Sequence, residues 1–366
     1  MDLGGWLRSL GLEQYEAAFR ENAIDLSVLP DLTDQDLEKL GDAMLDLAVR
    51  FFALAEKQGA TGPLMIGHRL MGASLVQTGD ISEGRTHYDQ AISLYDPTKH
   101  RQLATRFGQD IRVAILSRRS LPLWALGHPE AALADAAQAL KDAREIGQAA
   151  TLMYALIHTT MFAHIPCGCY AAASAQSDEV VALAEEKETL FWKAWGIMNR
   201  GCVSVLTGKA SDAVHMISGL AAYRSTGATI YVPLYLSYLT RAYTDVGQFD
   251  EARRCFGEAI TTLEATKEKV WEAEVHRVAG EVALQAPAPD AVEAETHFDR
   301  ALSIARQQQA KSWELRAAMS MARLWRDQGK KQQARELLAP VYGWFTEGFD
   351  TRDLKEAKAL LEELAV

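Results

Sequence analysis

The feature that most restricts what this chain can fold into is a recurring spacing: a small, a large and a small residue standing four and then three positions apart. It is clearest in LYLSYLTRAYTDVGQFDEARRCFGEAITTL, residues 234–263. Two apolar-periodic runs of helical length meet there at Gly247, and so short a turn makes a helical hairpin. On the second run Ala252, Phe256 and Ala259 share one face, so a neighbouring helix can approach closely around a single aromatic knob. Neither helix can bury its apolar face alone. Gly247 is therefore predicted to hold a turn that a side chain would strain, and Phe256 to be buried between helices.

The spacing returns at Gly84/Tyr88/Ala91, Ala132/Ala136/Ala139, Ala173/Ser177/Val180, Ala213/Ile217/Leu220, Ala294/Phe298/Ala301 and Ala334/Leu338/Val341. Counting Ala252 in its place, the first members lie 48, 41, 40, 39, 42 and 40 residues apart. A turn glycine precedes the second run in six units, at Gly79, Gly127, Gly168, Gly208, Gly247 and Gly329, and Pro287 and Pro289 break the chain in the remaining one. The pattern resembles the tetratricopeptide repeat (TPR), with a period near 40 in place of the usual value of roughly 34. The expected fold is all-α: about seven TPR-like hairpins stacked into an α-solenoid in which each repeat touches mainly its neighbours. The first interval is long because of YDPTKHRQLATRFGQD, residues 95–110, read as the longest irregular connection and carrying a local basic spot of Lys99, His100, Arg101 and Arg106.

Residues 1–41 are a different object. Trp6, Leu7 and Leu10, then Tyr15, Ala18 and Phe19, then Leu26, Leu29 and Leu32 make short apolar faces, and Thr33 caps a last run ending at Gly41. The segments W-L-x-x-L-G-L-x-x-Y and L-T-x-x-D-L-x-x-L-G closely resemble a sterile alpha motif (SAM) domain. The expected organisation is a SAM-like head over 1–41 and a TPR-like solenoid over 42–366. Where a SAM domain ordinarily continues into a long closing helix, this chain runs into DAMLDLAVRFFALAEKQG, which reads as the second helix of a TPR-type hairpin. The head carries nine acidic against three basic residues. Together with the resemblance, that excess implies head-to-tail self-association against a basic surface, so a homo-oligomer through the head is expected.

The C-terminal stretch from Leu324 to Leu364 ends the array, and its last run sets Leu354, Ala357, Leu360 and Leu361 against charged neighbours, as a capping helix does. Its R-D-Q-G-x-x-x-x-A-x-x-L-L-x-P-x-Y-x-W-F-T-E-G-F-x-T-x-D-L-x-x-A pattern resembles the tail of bacterial signalling proteins. Those join a SAM domain, a class III nucleotide cyclase, an ATPase module and a TPR array. This sequence has no G-x-x-x-x-G-K-[ST] phosphate loop, and no strands bearing paired aspartates interrupt its helical period. The expected protein is not an enzyme, and no cofactor is expected.

The net charge of −11 argues against nucleic-acid or anionic-membrane partners. No apolar run reaches the roughly 18 residues that span a bilayer, and no leader opens the chain, so a cytoplasmic location is expected. Cys167 and Cys169 with His164 could offer three soft ligands, but no fourth stands at zinc spacing, and packed thiols are the simpler reading. His68, His158, His276 and His297 lie on helices without a nucleophile or carboxylate at catalytic spacing.

Counting back from the turn glycines places Arg69, Trp195, Met198, Ser237, Arg241, Arg277, Arg316, Met319 and Arg323 on the concave face of the first helices. A groove of Arg, Met and Trp suits a protein or acidic peptide, whose carboxylates match the guanidinium fork. The competing reading makes Trp195 core and pairs the arginines with Glu274 and Glu281. The function expected is a protein-interaction scaffold in bacterial signalling. A regulatory fragment of a cyclase or ATPase, and a small-molecule-sensing solenoid, are the alternatives.

Overall fold

Six of the seven hairpin turns follow a helix that ends in the left-handed region. In the computed structural model, which describes residues 44–105 and 108–365, the six turn glycines have φ between +78° and +96°. At Gly247 the amide donates to the Thr244 carbonyl at 3.0 Å and the next amide to the Tyr243 carbonyl at 2.8 Å, which satisfies the last carbonyls of the helix. A Cβ at Gly247 would meet nothing within 4 Å, so the constraint there is φ = +78° alone. In the unit without a glycine, the prolines stop the first helix at Gln285, and Asp290 opens the second by accepting from the amides of Val292 and Glu293 at 2.9 Å each.

The described residues form seventeen α-helices and no strand. Helix α1 (Met44–Gln58) leads into hairpin I, α2 (Thr61–Thr78) and α3 (Ile81–Ser93). The connection that follows is more ordered than its sequence suggested, because Asp96 caps a short α4 (Pro97–His100) that runs into a 3-10 turn at Arg101–Thr105. Hairpin II is α5 (Ile111–Ala125) and α6 (Pro129–Ile146). Hairpin III is α7 (Ala149–Thr159), prolonged by a π turn at Thr160–His164, and α8 (Tyr170–Glu186). Hairpin IV is α9 (Leu190–Leu206) and α10 (Val214–Ser225). Hairpins V to VII are α11 (Val232–Asp245) with α12 (Phe249–Thr266), α13 (Glu272–Gln285) with α14 (Ala291–Gln307), and α15 (Lys311–Asp327) with α16 (Lys331–Tyr342). Helix α17 (Arg352–Glu363) buries Leu354, Ala357 and Leu360 at the far end. The SAM-like head, with its acidic face, lies outside the described residues.

The array winds so tightly that it meets itself. The C-terminal end of α2 accepts at the Gln77 carbonyl from the amides of Lys269, at 2.7 Å, and Val270, just before hairpin VI. One unit on, the Ser312 hydroxyl at the start of hairpin VII donates to the Trp124 carbonyl at the end of α5. Another unit on, Arg352 of α17 donates to the Tyr170 hydroxyl at 2.6 Å. Hairpins I, II and III thus each touch the unit five places further along, which sets about five hairpins per superhelical turn. The space on the axis is filled by aromatic rings from successive units. Trp195 and Tyr231 have centroids 5.1 Å apart, Trp271 and Trp313 6.3 Å, and Trp313 and Trp124 4.5 Å.

Two parts of the expected register are corrected. In hairpin IV a 3-10 turn at Ala210–Ala213 precedes α10 and advances the helical phase. Met216, Leu220 and Tyr223 are buried there, while Ile217 is 40% exposed. In hairpin V, Phe256 is only half-buried and rests against the edges of His276 and His297, so it is not the sealed knob expected.

The turn between hairpins V and VI contains a buried acid. Glu268 is 2% exposed, and its carboxylate accepts from the Tyr231 amide at 3.0 Å, the Thr266 hydroxyl at 3.0 Å and the Trp271 indole at 3.1 Å. These bonds hold Tyr231 at φ = +69°, a left-handed conformation uncommon for a bulky residue. Burial pushes the Glu268 pKa up to about 7 in spite of the three donors. Between the unfolded value of 4.5 and about 7 the folded chain keeps a proton that the unfolded chain has lost, so stability falls as pH rises through that window. At about 1.4 kcal/mol per pH unit, the fall should be about 2–4 kcal/mol. Glu268→Gln should remove it, which denaturant midpoints at pH 5 and pH 8 would show as a smaller difference than in the parent. Equal differences would mean that Glu268 is ionised throughout.

Candidate functional site

Four helices present charged residues at three- and four-residue spacing, hence on one face each, to the C-terminal end of the aromatic axis. Helix α11 supplies Ser237, Tyr238 and Arg241; α13 supplies Glu274, Arg277 and Glu281; α15 supplies Arg316, Met319 and Arg323; α17 supplies Arg352, Asp353 and Glu356. They surround a cavity of about 100 Å³, walled by Ile165, Tyr170 and Leu206. Five guanidiniums face four carboxylates in the lining, and Asp245, 3.9 Å from Arg241 just outside it, brings the charges level.

Their pairing is unequal. Arg277 forks onto Glu274 with two bonds of 2.7 Å, and its third nitrogen bonds Glu281. Arg316 donates to Asp353 at 2.6 Å and to the Pro166 carbonyl at 3.0 Å, with its plane 5.0 Å from the Trp124 ring and 5.2 Å from Trp313. It therefore caps the aromatic axis. Glu356 joins Arg352, at 2.6 Å, to Arg323, at 3.0 Å. Arg241 has only a loose contact of 3.9 Å with Asp245. Arg241 and Arg323 are thus the cations with most donor capacity left for a ligand.

Burial works against ionising Glu274, but Arg277, Arg316 and Arg241 outweigh it and hold the carboxyl below its ordinary range. Burial likewise opposes the charge on Arg277 and Arg316, and Glu274 with Glu281 and Asp353 more than restores it, so both stay above the usual arginine range. For Glu356 burial is again overcome, here by hydrogen bonds from Arg352 and Arg323. Burial keeps the Tyr238 phenol protonated.

Six of the nine residues expected on the concave face are brought together here: Ser237, Arg241, Arg277, Arg316, Met319 and Arg323. The other three are elsewhere. Trp195 and Met198 are fully buried, and the Trp195 indole donates to the Tyr235 hydroxyl at 2.6 Å. Arg69 is 2% exposed on α2 in hairpin I, far along the chain from this ring. The concave face at those positions is core because the superhelix closes over it. Arg352, Asp353 and Glu356 were missed, although R-D-x-x-E on the capping helix places three charges on the face that also turns inward.

The C-x-C turn borders this site, since Ile165 and Tyr170 wall the cavity and the Pro166 carbonyl accepts from Arg316. Cys167 is buried with its thiol pushed up by burial, and its sulfur lies 3.9 Å from the Pro129 carbonyl. No group of three or more His, Cys, Asp or Glu poised for a metal occurs among the described residues.

The sterile alpha motif family matches residues 1–41, and a tetratricopeptide repeat family matches residues 234–266. The chain therefore joins an N-terminal SAM domain to a TPR-like helical array. No curated protein matches the sequence. Among solved structures, it is similar to a Rap protein complexed with competence and sporulation factor, with TM-score 0.59 and 15% identity over 99% of this chain and 98% of that one. It is also similar to the apo form of RapI, with TM-score 0.50 and 14% identity over 82% of this chain and 99% of that one. At these identities the likeness is one of fold. Among the described residues no helix is long and apolar enough to cross a membrane.

Proposed function

We propose that this protein is a non-catalytic interaction adaptor whose array receives an acidic segment of a protein partner, with one carboxylate entering the arginine-ringed mouth. The observation that carries this reading is the incomplete pairing of Arg241 and Arg323 at the end of the closed axis. A cavity of about 100 Å³ suits one carboxylate-bearing side chain or chain end, with the rest of the segment on the rim. The like-folded Rap protein holds a bound factor, which supports reading such an array as a binding body.

Acidic peptides ending in a free carboxylate should bind more tightly than their amides, and Arg241→Ala with Arg323→Ala should weaken binding about tenfold or more, the worth of a charge-assisted hydrogen bond. Fluorescence anisotropy over a panel of such peptides tests it. Equal affinity for acid and amide, or no loss in the double variant, would overturn the reading. A small free dicarboxylate that binds in the mouth while every peptide fails would favour a small-molecule sensor.

The wider setting belongs to the same proposal: a cytoplasmic bacterial signalling protein, divided near residue 41, related to cyclase and ATPase proteins that carry SAM and TPR ends. The acidic head then mediates weak self-association. Light scattering should show a mass that falls between low and 1 M salt, where the Debye length shrinks to about 3 Å, and that also falls when residues 1–41 are deleted. Identical masses in all conditions would reject self-association.

A further inference from the structure

Two triads of rings stand at equivalent positions in hairpins I and VI. In the first, Phe52 of α1 packs on His68 of α2, at 4.6 Å, and on His87 of α3, at 5.4 Å. In the second, Phe256 of α12 packs on His276 of α13, at 6.1 Å, and on His297 of α14, at 5.4 Å. The register is shared: α1 carries Ala48/Phe52/Ala55, the spacing of Ala252/Phe256/Ala259, and both His87 and His297 lie three residues after the first small residue of their helix. Each pair brings two Nδ1 atoms together, at 3.0 Å for His68 and His87 and at 3.2 Å for His276 and His297.

That separation has a second meaning besides a hydrogen bond. Two imidazole nitrogens bound to one ion at 2.0–2.1 Å stand about 2.9 Å apart at a right angle and about 3.4 Å apart at the tetrahedral angle. Both observed separations fall inside this interval. All four rings are half-buried, so an ion can reach them. We propose that His68 with His87, and His276 with His297, are two transition-metal sites, each taking one divalent copper or zinc ion between paired Nδ1 atoms and joining the two helices of its hairpin.

Each site offers two nitrogen donors as it stands, and water completes the coordination. On metal binding the proton shared between the Nδ1 atoms leaves for Nε2 or solvent, and each Nδ1 lone pair goes to the ion. Imidazole pairs prefer copper over zinc and do not take magnesium.

Tag-free full-length protein titrated with Cu2+ and with Zn2+ by calorimetry at pH 7.5 tests this. The parent should bind two more ions than His87→Gln/His297→Gln, and each single variant should lose one. The Cu2+ electron paramagnetic resonance spectrum of the parent should show two nitrogen ligands per ion, a readout that needs no variant to fold. Equal ion counts in parent and double variant, or a parent spectrum with fewer than two nitrogens per bound ion, would overturn the proposal.

Discussion

Phe298→Ala is expected to destabilise the array by about 3–5 kcal/mol, the range for a sealed aromatic whose site cannot collapse. Phe298 is fully buried between Ala294 and Ala301, and its ring fills the space left by a missing side chain on the facing helix. A Cβ built on Gly280 would fall 2.4 Å from the Phe298 ring, so nothing on α13 can move in to fill the void without that ring. Phe256 occupies the same place in the repeat but is half-exposed, and a small cavity of about 30 Å³ already lies beside it. Phe256→Ala should therefore cost only about 1–2 kcal/mol, in proportion to the area it keeps from water. Urea midpoints for the two variants decide the matter, and equal losses would show that the knob position and not its local seal sets the cost.

Arg277→Ala should cost about 3–5 kcal/mol for a different reason. The substitution removes both bonds to Glu274, whose side chain is 6% exposed, and leaves its charge with no close partner beyond Arg316 at 3.7 Å and the more distant Arg241. Removing the pair together, as Arg277→Met with Glu274→Leu, should recover most of the loss, because a buried ion pair is repaid in attraction little more than it costs in desolvation. The two single losses should therefore sum to much more than the double loss. Additive losses would mean that Glu274 is held by the rest of the ring and that Arg277 acts alone.

How much of this was legible in the sequence depends on the distance over which each feature is decided. The hairpins were legible because their causes are local. A left-handed turn needs glycine, and Gly79, Gly127, Gly168, Gly208, Gly247 and Gly329 all adopt it. Close helix packing needs small residues, and Ala132, Ala136 and Ala139, like Gly84 and Ala91, are buried as their spacing requires. Where local structure altered the phase, at the 3-10 turn before α10, the spacing misled by one residue and Ile217 came out exposed. The clustering of Arg241, Arg277, Arg316 and Arg323 was also readable, since equal positions on successive first helices must stack.

The winding was not. A pitch of about five hairpins arises from small rotations summed over every interface, each set by side-chain volumes on two helices at once, and no window of sequence contains it. That pitch brings hairpin I against VI and II against VII, fills the axis with Trp124, Trp195, Trp271 and Trp313, and so turns Trp195 and Met198 from expected groove residues into core. It also carries α17 over the open end, where Arg352, Asp353 and Glu356 complete the charged ring. The histidine pairs follow the same division. Their separate positions are plain in the sequence, but the 3.0 Å and 3.2 Å between their nitrogens depend on how adjacent helices are tilted together, which only the tertiary structure decides.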